Sequence, residues 1–440
     1  MAEAMLCRGM RRERRFALPG LLVVGFSLFR ALQAPAACYS AVRSECQSPL
    51  CAVPARAVIG SFAGVRRQAA KPATAGIGRR ASPVLAPGSE GPDWWDARNS
   101  ASPVVLPPAD GEAAWRMWYY GRAGTTWARG IEAFLPTGRI GSAVSEDGLR
   151  WSRRTGPLPG GACLDPSPDE SAFDCVHVGV GDVVVLPNGT LWMYYFGGGL
   201  DDGGVGRPGI RMQIGLAASE DGGISWTRLS GGKPVLQPGS SGSFDELFVA
   251  WPRVLPPWET AGVPGIPEGQ WYMSYHTAQL RAGISWSAGA AFSNDGVHWV
   301  KALGPVLEGT EAGLWDSRGV GVRSVVAADD GRLLMLYEAV DDAGDHAIGL
   351  ARSDDGKQWQ RDTVASAASL GGPILAKGSA GDWDSRVVGT PYAVPPQRPL
   401  ETWRLYYVGE ADGKPGLAIG MAESDGPDLT RWRKVPGGRA

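Results

Sequence analysis

The stretch Ile214-Gly215-Leu216-Ala217-Ala218-Ser219-Glu220-Asp221-Gly222-Gly223-Ile224-Ser225-Trp226 decides how this chain folds, because the chain writes it five times. Its skeleton is Gly-x-Ala-x-Ser, then Asp-Gly, then Trp. It recurs at Gly141, Ala143, Ser145, Asp147, Gly148 and Trp151, from Gly289 to Trp299, from Gly349 to Trp359 and, more loosely, from Gly420 to Trp432. Self-similarity at a fixed period of roughly 70 residues marks a stack or ring of one supersecondary unit. Each copy reads as β: small and apolar residues alternate, Asp-Gly makes a hairpin turn, and an aromatic opens the return strand. Four short strands per unit and five units predict an all-β chain, a five-bladed β-propeller with four antiparallel strands per blade.

The remainder of each unit repeats as well. Tyr119, Tyr195, Tyr275, Tyr337 and Tyr407 hold one place in a strand upstream of the glycine column. Two residues before them stand Met117, Met193, Met273, Met335 and Leu405, so one face alternates with period two and is expected to be buried. An aromatic-Asp pair opens each unit: Trp95-Asp96, Phe173-Asp174, Phe244-Asp245, Trp315-Asp316 and Trp383-Asp384. A lead-in such as Pro234-Val235-Leu236 precedes the pair, and Pro83-Val84-Leu85 is its first copy. The propeller is therefore expected over 82–440.

Residues 1–81 read as a targeting leader, with 13 Lys+Arg against three acids. An arginine cluster ending at Arg15 precedes an apolar run, Phe16 to Phe29, too short and interrupted to span a bilayer. An Ala-, Ser- and Arg-rich segment follows. A signal peptide ahead of a transit-like segment resembles the bipartite leaders of complex plastids; the alternative is a secreted protein with a disordered pro-segment. Without the leader, 30 basic and 42 acidic residues remain, which argues against nucleic acid as a partner. No membrane span is expected in the mature protein, which is expected to be a monomer. Cys163 and Cys175 stay with the propeller, either as a staple or as two separate thiols. The four scattered histidines show no zinc spacing, and no cofactor is expected.

Repetition also sorts structure from function. A residue present in every unit builds the unit; one that breaks the pattern at an inward-facing place is free to meet a ligand. The Asp-Gly turns and the Tyr and Met columns therefore belong to structure, and Asn188-Gly189 reads as a turn. Arg98, Arg318 and Arg386 each follow a repeat Asp by two residues, either as a brace to that Asp or as a ring of guanidinium groups for carboxylate, sulfate or phosphate. The residue after the Tyr column varies: Tyr120, Phe196, His276, Glu338, Val408. His177, Asp182, Glu246, Trp251, Arg253 and Arg323 break the pattern in the innermost strands. Together these define the expected site: Asp182, Glu246 and Glu338 as acids, with His177, Trp251, His276, Arg318 and Arg386 holding the substrate. Six tryptophans outside the columns (Trp94, Trp118, Trp127, Trp251, Trp258 and Trp286) suit a carbohydrate or anionic sugar ligand.

The Ser-x-Asp-Gly-x-x-Trp turn resembles the Asp-box of sialidases, where the motif is a structural turn. Segments such as Gly181-Asp182-Val183-Val184 followed by Trp192-Met193-Tyr194-Tyr195 resemble the five-bladed glycoside hydrolases, the arabinanase and β-xylosidase families and more distantly invertase and levansucrase. That resemblance covers 82–440. It implies a glycan-active protein that hydrolyses or phosphorolyses glycosidic bonds, or a binding or interaction propeller that has lost the catalytic set. It also implies three acids, one in each of the first three blades. The blade-two acid falls on Asp182. The blade-one Asp-Pro falls on Ser102-Pro103, and the blade-three Glu-x-Pro falls on Ala250-Trp251-Pro252. Glu246 shares a strand face with Ala250 but lies about 13 Å away at 3.3 Å per residue. Any activity therefore needs a non-standard acid set.

Overall fold

A computed structural model describes residues 80–88, 91, 93–109, 114–124, 137–279, 285–362, 372–398, 401–426 and 429–437. The leader, apart from its last two residues, and Trp127 lie outside the described residues. What is described is almost entirely β. Strands β1 (Asn99–Leu106), β2 (Trp115–Arg122), β3 (Arg139–Ser145) and β4 (Ser152–Arg154) form one antiparallel sheet in sequence order. A second holds β5 (His177–Val185), β6 (Leu191–Gly198), β7 (Met212–Ser219) and β8 (Thr227–Arg228). A ten-stranded sheet follows. Its first part is β9 (Phe248–Leu255), β10 (Trp271–Gln279), β11 (Ser285–Ser293), β12 (Val300–Lys301) and β13 (Leu307–Glu308). Its second part is β14 (Gly319–Ala327), β15 (Leu333–Val340), β16 (His346–Ser353), β17 (Gln360–Arg361) and β18 (Leu375–Ala376). A single parallel bridge, Trp286 to Gly319, joins the two parts. The last sheet is β19 (Val387–Val394), β20 (Arg404–Ala411), β21 (Lys414–Ser424) and β22 (Trp432–Lys434). One helical turn, α1 (Pro257–Thr260), follows β9.

The first strands touch in a cycle: β1 meets β5, β5 meets β9, β9 meets β14, β14 meets β19, and β19 meets β1. The core follows this arrangement, since apolar layers lie between successive units. One layer packs Met193 and Val180 of the second unit against Val104 and Trp118 of the first. Another packs Trp95, Met117 and Tyr119 against Tyr406, Ile419 and Met421, joining the first unit to the last. The whole Met and Tyr columns are buried.

The lead-ins cross from one unit to the next. Leu164 pairs with Ile140, Leu236 with Ile214, Leu307 with Ala288 and Leu375 with Ile348. Leu85, from the start of the described residues, pairs with Ile419 near their end. A second set of contacts repeats this order. Trp118 Nε1 donates to Gly223 O at 2.9 Å, Tyr194 OH to Gly296 O at 2.8 Å, Tyr272 OH to Gly356 O at 3.0 Å, and Tyr406 OH to Gly148 O at 2.8 Å. Each grips the Asp-Gly turn of a neighbouring unit. The turns themselves are locked: Ser145 Oγ accepts from Gly148 N–H, and Asp147 Oδ1 accepts from Leu149 and Arg150 N–H, all at 2.9 Å. Partial burial would raise the Asp147 pKa, but the two backbone donors outweigh it and hold the carboxyl at about 2.

The aromatic-Asp pair carries a buried ion pair in each unit. Asp96, Asp174, Asp245, Asp316 and Asp384 are all buried. Each takes a cation from the fourth strand: Arg153 at 2.9 Å, Arg228 at 2.8 Å, Lys301 at 2.6 Å, Arg361 at 2.7 Å and Lys434 at 2.6 Å. The Tyr column donates to the same carboxylates. This corrects the expected brace from Arg386, which pairs at 2.8 Å with Glu410 rather than with Asp384. The neighbouring aromatic explains the glycine column. A Cβ on Gly141 would stand 2.2 Å from the Trp95 ring, and one on Gly420 would stand 2.3 Å from Trp383. Asn188-Gly189 forms a turn, with Gly189 at φ +85°. Cys163 and Cys175 are separate buried thiols, and burial pushes the Cys163 thiol up to about 12.

Removing one partner of a buried ion pair leaves a charge uncompensated, whereas losing a turn carboxylate costs only a few exposed hydrogen bonds. Within the fourth unit, Asp316→Ala is expected to cost about 3–5 kcal/mol. Asp355→Ala should cost about 1–2 kcal/mol. Urea unfolding of the two variants measures the difference, and equal losses would contradict this ranking.

Candidate functional site

The first strands begin, and the second strands end, at one mouth of the central axis. There the variable column after the Tyr positions meets small residues on the first strands. Tyr120 faces Ala101, Phe196 faces Gly179, His276 faces Ala250, and Val408 faces Gly389. The small partners leave room for these side chains: a Cβ on Gly179 would stand 2.2 Å from the Phe196 ring. Tyr120, Phe196, Trp251, Val322 and Val408, one from each unit, then pack into a single buried cluster. Trp251, within this cluster, takes the left-handed region at φ +45°. Its ring lies 4.3 Å from Phe196 and 5.7 Å from His276, and its Nε1 donates to Ser102 Oγ at 3.1 Å. The Ser102 contact thus links one position where the resemblance called for an acid to the residue beside the other, Ala250.

At this end His177, His276 and Glu338 are buried, Glu246 and Arg318 are half-buried, and Arg386 is exposed. Phe248 and Trp286 also flank His276, at 5.1 and 5.4 Å. Burial, with the nearby Arg323 charge, pushes its pKa well below the usual imidazole range and keeps it neutral. Burial likewise takes His177 down to about 4, with Nε2 2.8 Å from Gly209 O. Glu338 Oε1 meets His346 Nδ1 at 2.8 Å, and its Oε2 accepts from Thr390 N–H at 2.8 Å. Glu246 accepts from Gly242 N–H at 2.7 Å in the turn before β9. Arg318 and Arg386 precede β14 and β19. Glu246, His276, Glu338, Arg318, Arg386, His177 and Trp251 thus lie in the strand-start half, the first five on five separate segments.

Asp182 lies further along the axis. It belongs to a layer with one residue per unit, Val104, Asp182, Arg253, Ser324 and Tyr392, all at equivalent register positions. Asp182 Oδ2 accepts from Val254 N–H at 2.8 Å, and its Oδ1 lies 3.4 Å from Arg253 Nη1. Arg253 covers the Tyr392 ring at 4.0 Å and donates to Arg323 O at 3.1 Å and Gly181 O at 2.9 Å. Beyond this layer a cavity of about 300 Å³ opens at the strand ends, with Asp182, Arg253, Glu259, Ser324, Tyr392 and Gln397 among aliphatic walls. Burial raises the Asp182 pKa against the pull of Arg253. Burial of its carboxyl against the cavity wall, helped by Asp182, raises Glu259 to about 7. Glu259 keeps an exposed face at the rim, where water screens part of this shift. A carboxyl whose pKa is raised in a cavity shared with an arginine is suited to exchange a proton with a bound molecule.

Three polar groups escaped the sequence reading. Glu259 sits in the connection after β9, which has no repeat to be compared with. Asn99 opens β1, and Arg122 stands three residues after the Tyr column. That last position holds Gly198, Ala278, Val340 and Glu410 in the other units, so the same pattern-breaking criterion would have found Arg122.

No protein-family model and no curated protein matches the sequence. Solved structures do match. BT0996, in its complex with RGII, is 18% identical over 79% of this protein and 92% of its own length, with a TM-score of 0.57. A thermostable family-43 glycoside hydrolase is 15% identical over 79% and 96%, with a TM-score of 0.55. A third similar structure represents the GH130 family of mannoside phosphorylases, which contains glycoside hydrolases that target β-1,2 mannosidic linkages in Candida mannan. It is 18% identical over 78% and 92%, with a TM-score of 0.50. The protein has the fold of this glycoside hydrolase-like propeller group. At such identity the likeness concerns fold alone.

The Glu259 shift has a definite sign. Its folded pKa lies above the ordinary 4.5, so between pH 4.5 and 7 the folded state holds more of the proton than the unfolded chain. That contribution to stability is full below 4.5 and is lost as pH rises through 7. Glu259→Gln should flatten the fall in stability between pH 5 and 7.5, read from urea midpoints of parent and variant at both values. An unchanged slope would show that Glu259 titrates as a free side chain.

Proposed function

We propose that the five units are the five blades of a propeller spanning 82–440, four antiparallel strands to a blade. The leader carries it to a plastid, or alternatively out of the cell. It acts as a monomer on carbohydrate rather than nucleic acid, in keeping with its acidic balance outside the leader. Among the described residues no helix is long and apolar enough to cross a membrane.

On this reading the protein binds a glycan without cleaving it by a two-carboxylate mechanism. One observation carries this: Ser102 and Ala250 stand where two of the three acids would be, and the Trp251 indole next to Ala250 is hydrogen-bonded to Ser102 at 3.1 Å within the buried axial cluster. Hydrolysis needs a protonated and an ionised carboxyl on opposite sides of one bond. Asp182 faces the far cavity, Glu338 is taken up by His346 and Thr390, and Glu246 lies in a turn. The fold shared with glycan-active proteins, and an aromatic-rich axis, support carbohydrate as the ligand class. A second reading, an enzyme with a non-standard acid set, draws support from Asp182 and Glu259 in one cavity with both carboxyls shifted upward.

The test is a panel of aryl glycosides and β-mannosides, with and without phosphate, alongside a glycan-binding array. Binding without turnover is expected. Turnover abolished by Glu338→Gln, Glu246→Gln, Asp182→Asn or Glu259→Gln would overturn the non-catalytic reading, and the sensitive variant would identify the acid.

A further inference from the structure

A buried arginine at the strand-start mouth has no acid of its own to hold among the described residues. Arg122 ends β2 opposite Asn99, the first residue of β1, and Tyr120 lies two residues earlier on the same side of the strand. The three are 1%, 2% and 0% exposed. Asn99 Oδ1 accepts from Leu417 N–H at 2.8 Å, which fixes the amide and turns its Nδ2 away from that bond. Asn99 Nδ2, Tyr120 OH, and Arg122 Nε and Nη1 are buried and have no hydrogen-bond partner among the described residues. The acid whose charge reaches Arg122 is Glu410, and it is already engaged. Its Oε2 meets Arg386 Nη1 at 2.8 Å, and its Oε1 accepts from Gly416 N–H at 3.1 Å. Arg98 also acts on Arg122, with the same sign of charge.

An unpaired buried guanidinium is strongly destabilising, and unpaired amide and phenol donors add to the cost. Four unpartnered donor atoms on the paired residues Asn99 and Arg122 and on Tyr120, which shares their strand face, with three arginines against one carboxylate nearby, are complementary to an acceptor of negative charge. A planar guanidinium offers two parallel N–H bonds to the oxygens of a carboxylate, sulfate or phosphate. We propose that Asn99, Tyr120 and Arg122 bind the oxyanion group of a ligand, a uronate or sulfated sugar on the glycan reading above. Only the sugar part of this assignment rests on that reading.

The experiment measures thermal unfolding and calorimetric binding at matched ionic strength in chloride. The additions are millimolar sodium galacturonate, galactose, sulfate or phosphate, a range where general salting effects are small. The parent protein should bind galacturonate at least about tenfold more tightly than galactose. Arg122→Met should lose this preference and, in chloride alone, melt no lower than the parent, because an unpaired buried charge is gone. Tyr120→Phe and Asn99→Ala should each weaken binding about 3- to 10-fold. A response to sulfate or phosphate alone identifies a free oxyanion rather than an acidic sugar as the ligand. A parent protein indifferent to all three anions, or an Arg122→Met protein that keeps the response, overturns the site. If Arg122→Met does not fold, unchanged affinity in both other variants does the same. Anion binding with no glycan binding keeps the site and removes the glycan reading; neutral-glycan binding with no anion dependence does the reverse.

Discussion

Each unit is organised around a carboxylate that cannot reach water. The aspartate of the aromatic-Asp pair is enclosed, so its charge has to be matched from inside. The fourth strand supplies an arginine or lysine and the second a tyrosine hydroxyl, so one buried group fixes three elements of the unit at once. The same cations reach onward to the lead-in segment: Arg228 donates to Asp165 O at 2.6 Å, and Arg153 donates to Ala86 O. Replacing the ion pair by apolar side chains could preserve stability, as buried pairs often permit. It would lose the directional bonds that tell a short, two- or three-residue fourth strand where to stop.

Much of this was legible in the sequence because repetition averages away local noise. The glycine column, the Met and Tyr columns and the Asp-Gly turns each appear five times, and a physical requirement that recurs five times is hard to misread. The brace was misassigned for a geometric reason. Arg386, two residues from Asp384, is close in sequence but lies on the far side of a bend, whereas Lys434 is 50 residues away and adjacent in space. Sequence spacing reveals which residues share a strand face, not which strands a bend brings together. The site was harder still. His276 and Glu338 were rightly singled out as departures from the repeat, but a departure does not reveal whether a side chain faces solvent or fills a void.

The axis shows how little separates those outcomes. A column of side chains crossing small residues leaves an open funnel when the side chains are short and a closed one when they are Tyr, Phe and Trp. The positive φ at Ser102, Trp251 and Thr390 marks an irregularity shared by three first strands. Each of these strands skips a step in its pairing with the second strand at that point. The bulge turns one residue per strand toward its neighbours, and the same backbone can present an acid or an indole there.

The pairing of Leu85 with Ile419, and of Ser82 with Pro436, places the two ends of the described residues in one sheet. A ribosome delivers those partners several hundred residues apart, so the last unit has to wait for the final strand while the first four can form from local contacts. Until then the apolar layer between the first and last units has one face without a cover. Closing this seam is therefore the step that needs both ends of the described residues, and it comes late in assembly.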